Sequence, residues 1–87
     1  KKKTIYYFFA DYCGYCKRFD PLFNKLKRKY GKNINLKKID GKKSKNKKLM
    51  LDYKIKLFPT LIIKETKKPF IGDREEKTLI KFIKDSI

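Results

Sequence analysis

Histidine and tryptophan are absent from this chain, methionine occurs once and cysteine twice. Zinc generally takes four ligands, so with no histidine and no third cysteine only a site bridging two chains, or a cluster, is open to it. Two cysteines also exclude a disulfide framework, and the core has to hold without cross-links. No stretch of eighteen apolar residues occurs, which argues against a membrane-spanning helix. A basic start is present but no small-residue cleavage site follows it, so no secretory signal is read and a cytoplasmic location is expected. The chain opens on Lys1 rather than Met, which reads as a processed or trimmed piece able to have lost an upstream address signal.

Acidic residues are scarce too. Nine Asp and Glu face 26 Lys and Arg, giving a formal charge of +17, and all but three of the basic residues are lysine. Such a charge fits a surface for nucleic acid or acidic proteins, or lysine spread over every solvated face. The second reading is preferred, because lysines are scattered from Lys1 to Lys84 and specific base reading favours arginine. No specific nucleic-acid partner is expected. The densest stretch, Lys42 to Lys48, would hold acidic partners loosely and in a salt-dependent way.

Eighty-seven residues, 40% of them apolar, bound the chain to one small domain, 1–87, with a single core. Thr4 to Ala10 reads as a strand buried on both faces. From Cys16 the apolar positions Phe19, Leu22, Phe23, Leu26 and Tyr30 fall on one helical stripe, with Pro21 inside it and Gly31 as the stop. Ile34 to Asp40 reads as a second strand, and a short helix bears Leu49, Met50 and Tyr53. Thr60 to Lys64 reads as a third strand and Phe70-Ile71 as a fourth, paired in a hairpin. Gly72 and Asp73 read as a turn and the cap of a last helix, with Glu76 completing the capping box. The order is βαβ, then αββα, so the sheet is mixed.

The chemistry is concentrated at Cys13-Gly14-Tyr15-Cys16, between the first strand and the first helix. Two intervening residues on a first helical turn bring both sulfurs to disulfide distance, and a pair at such a junction reads as a redox dithiol. Free N–H groups and the helix dipole favour a thiolate on the first sulfur. A structural pair or half a metal site is the competing reading.

Four segments together resemble the thioredoxin superfamily. Phe9-Ala10-Asp11-Tyr12-Cys13-Gly14-Tyr15-Cys16-Lys17 is similar to the family's active-site segment, with Tyr12 where tryptophan is common. Pro21 stands where thioredoxins carry a helix-kinking proline. Tyr53 to Thr60 resembles the segment that leads to the family's cis-proline. Phe70-Ile71-Gly72-Asp73-Arg74, followed by Leu79 and Phe82, resembles the closing segment of protein disulfide isomerase catalytic domains. The resemblance implies a thioredoxin-like α/β fold, a four-stranded mixed sheet with helices on both faces. The chain starts directly at the strand before the motif, so the version is the minimal, glutaredoxin-sized one. Two positions depart from the pattern. Tyr7 stands where the family places a buried Asp or Glu that helps move a proton to or from the second cysteine, so that aid is absent or supplied by water. Gly14-Tyr15 is neither the Gly-Pro of typical thioredoxins nor the Gly-His of typical isomerases, although Gly-Tyr occurs in some bacterial disulfide isomerases.

By this resemblance Cys13 is the nucleophile, Cys16 resolves the mixed disulfide, and no metal or organic cofactor is needed. Tyr12, Gly14, Tyr15, Phe58, Pro59 and Thr60 shape the site. Pro59 is expected to be cis, presenting the Phe58 and Thr60 backbone to an extended substrate segment. Tyr12 reads as a packing residue that shields the thiols. Tyr15 either hydrogen-bonds near the sulfur, offers a flat surface to substrate, or does no chemistry. The expected function is thiol–disulfide exchange with protein substrates, acidic ones among them, by a monomer whose electron partner, a reductase or glutathione, is left open. The lysine field and Tyr7 lean the couple toward the oxidising side. Two alternatives stand beside it, a glutathione-dependent glutaredoxin-like reductase and a basic binding module whose cysteines are incidental.

Overall fold

The structure, a computed structural model, describes residues 2–70 and 75–86. Its elements in order are β1 (Thr4–Phe9), α1 (Gly14–Tyr30), β2 (Asn35–Asp40), a single 3-10 turn (Ser44–Asn46), α2 (Lys47–Asp52), β3 (Thr60–Ile63) and α3 (Glu76–Ser86). The sheet order is β2-β1-β3. β1 pairs parallel to β2, with Ile5 opposite Leu36 and Phe9 opposite Asp40. It pairs antiparallel to β3, with Phe8 opposite Thr60 and Ile5 opposite Ile63. A strand flanked on both edges and covered on both faces must be apolar throughout, and the buried run Ile5 to Phe8 meets that demand.

Alternation along the strands divides the core in two. Ile5, Tyr7, Leu36, Leu61 and Ile63 face α1 and α3, which supply Phe19, Phe23, Leu26, Leu79 and Ile83. Tyr6, Phe8, Ile39 and Ile62 face the other way, against Leu49 and Met50 of α2 and Tyr53 just beyond it. Helices therefore cover both faces, as the residue pattern implies. α1 runs unbroken through Pro21, which is exposed, and stops at Gly31.

The sheet has three strands among the described residues, not four. Pro69 forms only an isolated bridge with Ile62, and Phe70 N–H donates to the Leu61 carbonyl at 2.8 Å. Ile63 N–H on the Lys68 carbonyl at 2.9 Å closes the bridge from the other side, so the Pro69 nitrogen faces away from β3 and its missing N–H costs no bond to that strand. Ile71, Gly72, Asp73 and Arg74 lie outside the described residues, and with them the expected turn and cap.

Candidate active site

Three chain segments meet at one end of the sheet, namely the ends of β1 and β2 and the start of β3. Gly41 N–H donates to the Phe9 carbonyl at 2.8 Å, and a side chain on Gly41 would run into the Phe58 ring. Phe58 precedes Pro59 through a cis peptide bond. Thr60, the first residue of β3, bonds back to the Leu57 carbonyl through its hydroxyl.

From the same end of β1 a tight turn, closed by Cys13 N–H on the Ala10 carbonyl at 3.0 Å, delivers Cys13 to the N-cap of α1. Its sulfur accepts the Cys16 N–H at 3.2 Å, satisfying one of the donors that a helix start leaves open. Cys13 is half-buried and Cys16 is buried, and both are free thiols. Burial pushes the Cys16 thiol above its ordinary 9.0, and the Cys13 side chain adds to this; the Ala10 backbone and the Tyr7 phenol pull it back.

The rim is aromatic and cationic. Tyr12 and Tyr15 are 69% and 62% exposed, so Tyr12 does not shield the thiols as a packing residue would. Arg18 sits over the Tyr15 ring at 4.6 Å, and the Lys42 ammonium over the Tyr12 ring at 5.2 Å. Leu57, beside Phe58, is 76% exposed. Gly14 has open space around it. A cavity of about 420 Å³ lies at the opposite end of the sheet, among Thr4, Asn35 and Lys64, away from this chemistry.

Beneath Cys16 the structure joins Tyr7 to two groups that the sequence pattern did not single out, Asp20 and Lys38. Tyr7 is 0% exposed, and its hydroxyl lies 2.8 Å from Asp20 Oδ1 and 3.1 Å from the Cys16 carbonyl. Its one proton is available to either acceptor. Lys38 Nζ is 3.4 Å from the same Asp20 oxygen and covers the Phe9 ring at 4.6 Å. Burial first, then the Asp20 acceptor, hold the Tyr7 phenol far above its ordinary 10.0. The sequence left the aid of the missing β1 acid either absent or supplied by water. A carboxylate is present, supplied from α1. The one trace of it in the sequence is spacing, since Asp20 is four residues after Cys16 and so shares its helix face.

Among the described residues no group of three His, Cys, Asp or Glu is placed to hold a metal ion, and no helix is long and apolar enough to cross a membrane.

A thiol capping a helix start, a second thiol buried one turn on and a cis-proline at the same sheet end define a thioredoxin-type dithiol site. The thioredoxin family model matches residues 1–85, and the chain belongs to that family. It is 30% identical over its whole length to a mitochondrial thioredoxin domain-containing protein of Schizosaccharomyces pombe, covering 26% of that protein. It is 33% identical to protein disulfide-isomerase A4 of Bos taurus, with 98% of this chain matched to 14% of the relative. The chain thus spans about a quarter of the first relative and about a seventh of the second. Among solved structures, one described as a malarial protein superposes with a TM-score of 0.77 at 30% identity, covering 100% of this chain and 99% of the other. The Drosophila germline thioredoxin Deadhead gives 0.82 at 25% identity, covering 99% and 82%. The domain is of the thiol–disulfide oxidoreductase class.

Proposed function

We propose that this domain exchanges disulfides with protein substrates through Cys13 and Cys16, and that extended, acidic segments are its preferred substrates. The observation that carries the reading is the placement of Cys13, half-buried at the N-cap of α1 with its sulfur on the Cys16 N–H. A helix N-terminus stabilises negative charge at that point, and the thiolate is the attacking species. Cys13 opens the substrate disulfide and forms a mixed disulfide with one of its sulfurs. Cys16 then attacks Cys13, closing the intramolecular disulfide and releasing the second substrate thiolate. The reverse sequence donates the disulfide.

Substrate preference follows from the rim. Tyr12, Tyr15 and Leu57 give apolar contact, while Arg18 and Lys42 stack on the two rings and keep their charge toward solvent. An acidic segment meets both demands. The test is turnover of the insulin interchain disulfides with dithiothreitol as reductant. Acceleration by the wild-type protein and none by Cys13→Ser or Cys16→Ser supports exchange through both thiols. Full activity retained in Cys16→Ser would replace it with a single-thiol, glutathione-type reaction.

A further inference from the structure

β2 has a neighbouring strand on one side only among the described residues. The far edge of β3 is taken up by the chain that follows it, through Ile63 N–H on the Lys68 carbonyl and Phe70 N–H on the Leu61 carbonyl. No such backbone bonds cover the outer edge of β2 among the described residues. Asn35 N–H donates to the Lys3 carbonyl at 2.9 Å, and Gly41 N–H to the Phe9 carbonyl at 2.8 Å. Backbone groups alternate sides along a strand, so Asn35, Lys37, Ile39 and Gly41 face β1, while Leu36, Lys38 and Asp40 face outward. The Asp40 carbonyl is already taken by Asn46 and by Lys43 N–H. The N–H and C=O of Leu36 and Lys38 are left to bond a further strand.

Charge around that edge selects what can add to it. Where β2 begins, the cavity of about 420 Å³ has Lys27, Lys37 and Lys64 among its walls and no carboxylate. All three lysines are exposed. Glu65, next to Lys64, is engaged elsewhere, accepting Thr4 N–H at 2.9 Å. Lys38, also on the edge strand, pairs with Asp20. Lysine on an edge strand opposes pairing with a second copy of the same chain, because like charges would face each other. The same lysines attract a strand of opposite charge.

We propose that the outer edge of β2, with the cationic cavity at its start, is a docking site for an extended acidic segment of a partner protein, which adds to the sheet as a further strand. Main-chain bonds to Leu36 and Lys38 supply the pairing, and carboxylates on the segment meet Lys27, Lys37 and Lys64. Lys37 shares its sheet face with Ile39, two residues on, so acidic residues at alternate positions of the segment fall on the lysine side. The site lies at the other end of the sheet from Cys13 and uses neither thiol. It does not rest on the exchange reading.

The probe is a cysteine-free peptide of about eight residues, an ordinary strand length, alternating glutamate with valine. It is titrated into the reduced protein while backbone amide exchange is followed residue by residue. With the peptide at about ten times its Kd, exchange at Leu36 and Lys38 is expected to slow about tenfold, and exchange at Lys37, already bonded to β1, to change little. Lys37→Glu is expected to weaken binding at least about twofold and to leave insulin turnover unchanged. Peptides N-methylated at every second residue, in each of the two possible phases, test the pairing with no change to the protein. One phase is expected to abolish binding and the other to preserve it, because only one phase turns its N–H groups toward β2. Equal binding by both phases, unchanged exchange at Leu36 and Lys38, or perturbation confined to Tyr12, Tyr15 and Arg18 overturns the proposal. An oligothymidylate that protects the same amides as strongly as the peptide also overturns it and assigns the edge to nucleic acid. Protection that grows with protein concentration alone overturns it in favour of a second copy of the chain.

Discussion

Cys13 Sγ accepts the Cys16 backbone N–H at 3.2 Å, so one sulfur closes the helix whose first turn carries the other. The two thiols are thereby unequal. One lies at a helix N-terminus near the surface; the other is buried beneath it against Tyr7. Replacing Cys13 by serine, itself a favoured N-cap, keeps the helix start. Thermal stability of Cys13→Ser is expected to stay within about 1 kcal/mol of wild type while exchange falls to background. In Cys16→Ser the mixed disulfide persists, and intact-mass analysis is expected to find the substrate covalently attached. A clean, unmodified mass after substrate treatment would contradict the assigned order of attack.

Alkaline stability follows from the raised Cys16 thiol. In the unfolded chain this thiol ionises near its ordinary 9.0, while burial keeps it protonated to higher pH in the fold. The unfolded state therefore binds fewer protons above that point, and stability declines as pH rises. The contribution is fully present below about pH 9. Tyr7 acts in the same sense from 10.0 upward. Urea midpoints of the reduced protein at about pH 7 and about pH 10 are expected to fall further for wild type than for Cys16→Ser. Equal losses in the two proteins would contradict the burial argument.

Gly41 and Gly14 make a matched pair of substitutions. A methyl group on Gly41 overlaps the Phe58 ring, whereas one on Gly14 meets open space. Gly41→Ala is expected to destabilise by about 1–3 kcal/mol, the usual cost of overpacking, and to slow exchange by moving the segment that leads into Pro59. Gly14→Ala should be neutral or slightly stabilising, since alanine is the better helix former. Chemical denaturation with a parallel insulin assay reads both.

Much of this layout was legible from residue pattern. The apolar run of β1, the helical stripe of α1 and the two strands that follow lie where their periodicities put them, because burial sets those periods. Ends were less legible. Ile34 precedes β2 and Lys64 follows β3, since side-chain alternation does not register where backbone pairing stops. Of the expected fourth strand, Phe70 keeps one bond to Leu61, and Ile71 lies outside the described residues. Asp20 was hidden for a different reason. A polar residue on an amphipathic helix reads as solvent-facing, and only the packing of α1 against Tyr7 and β2 turns it inward.

The cationic rim makes ionic strength a direct probe of substrate choice. For disulfide-linked peptides with acidic flanks, kcat/KM is expected to drop several-fold as salt rises from about 0.05 M to about 0.5 M, because charges more than a few ångströms apart are screened. Peptides with neutral flanks should change little. An equal response in both sets would remove charge from the account of specificity.

The most direct measurement of the central claim is equilibration of the protein across a series of dithiothreitol redox buffers, with acid-quenched thiol trapping and mass analysis. A single intramolecular Cys13–Cys16 disulfide is expected, forming and disappearing reversibly with the two-electron slope of about 30 mV per decade. Thiols that stay reduced throughout, or that oxidise only by linking two chains, would contradict it.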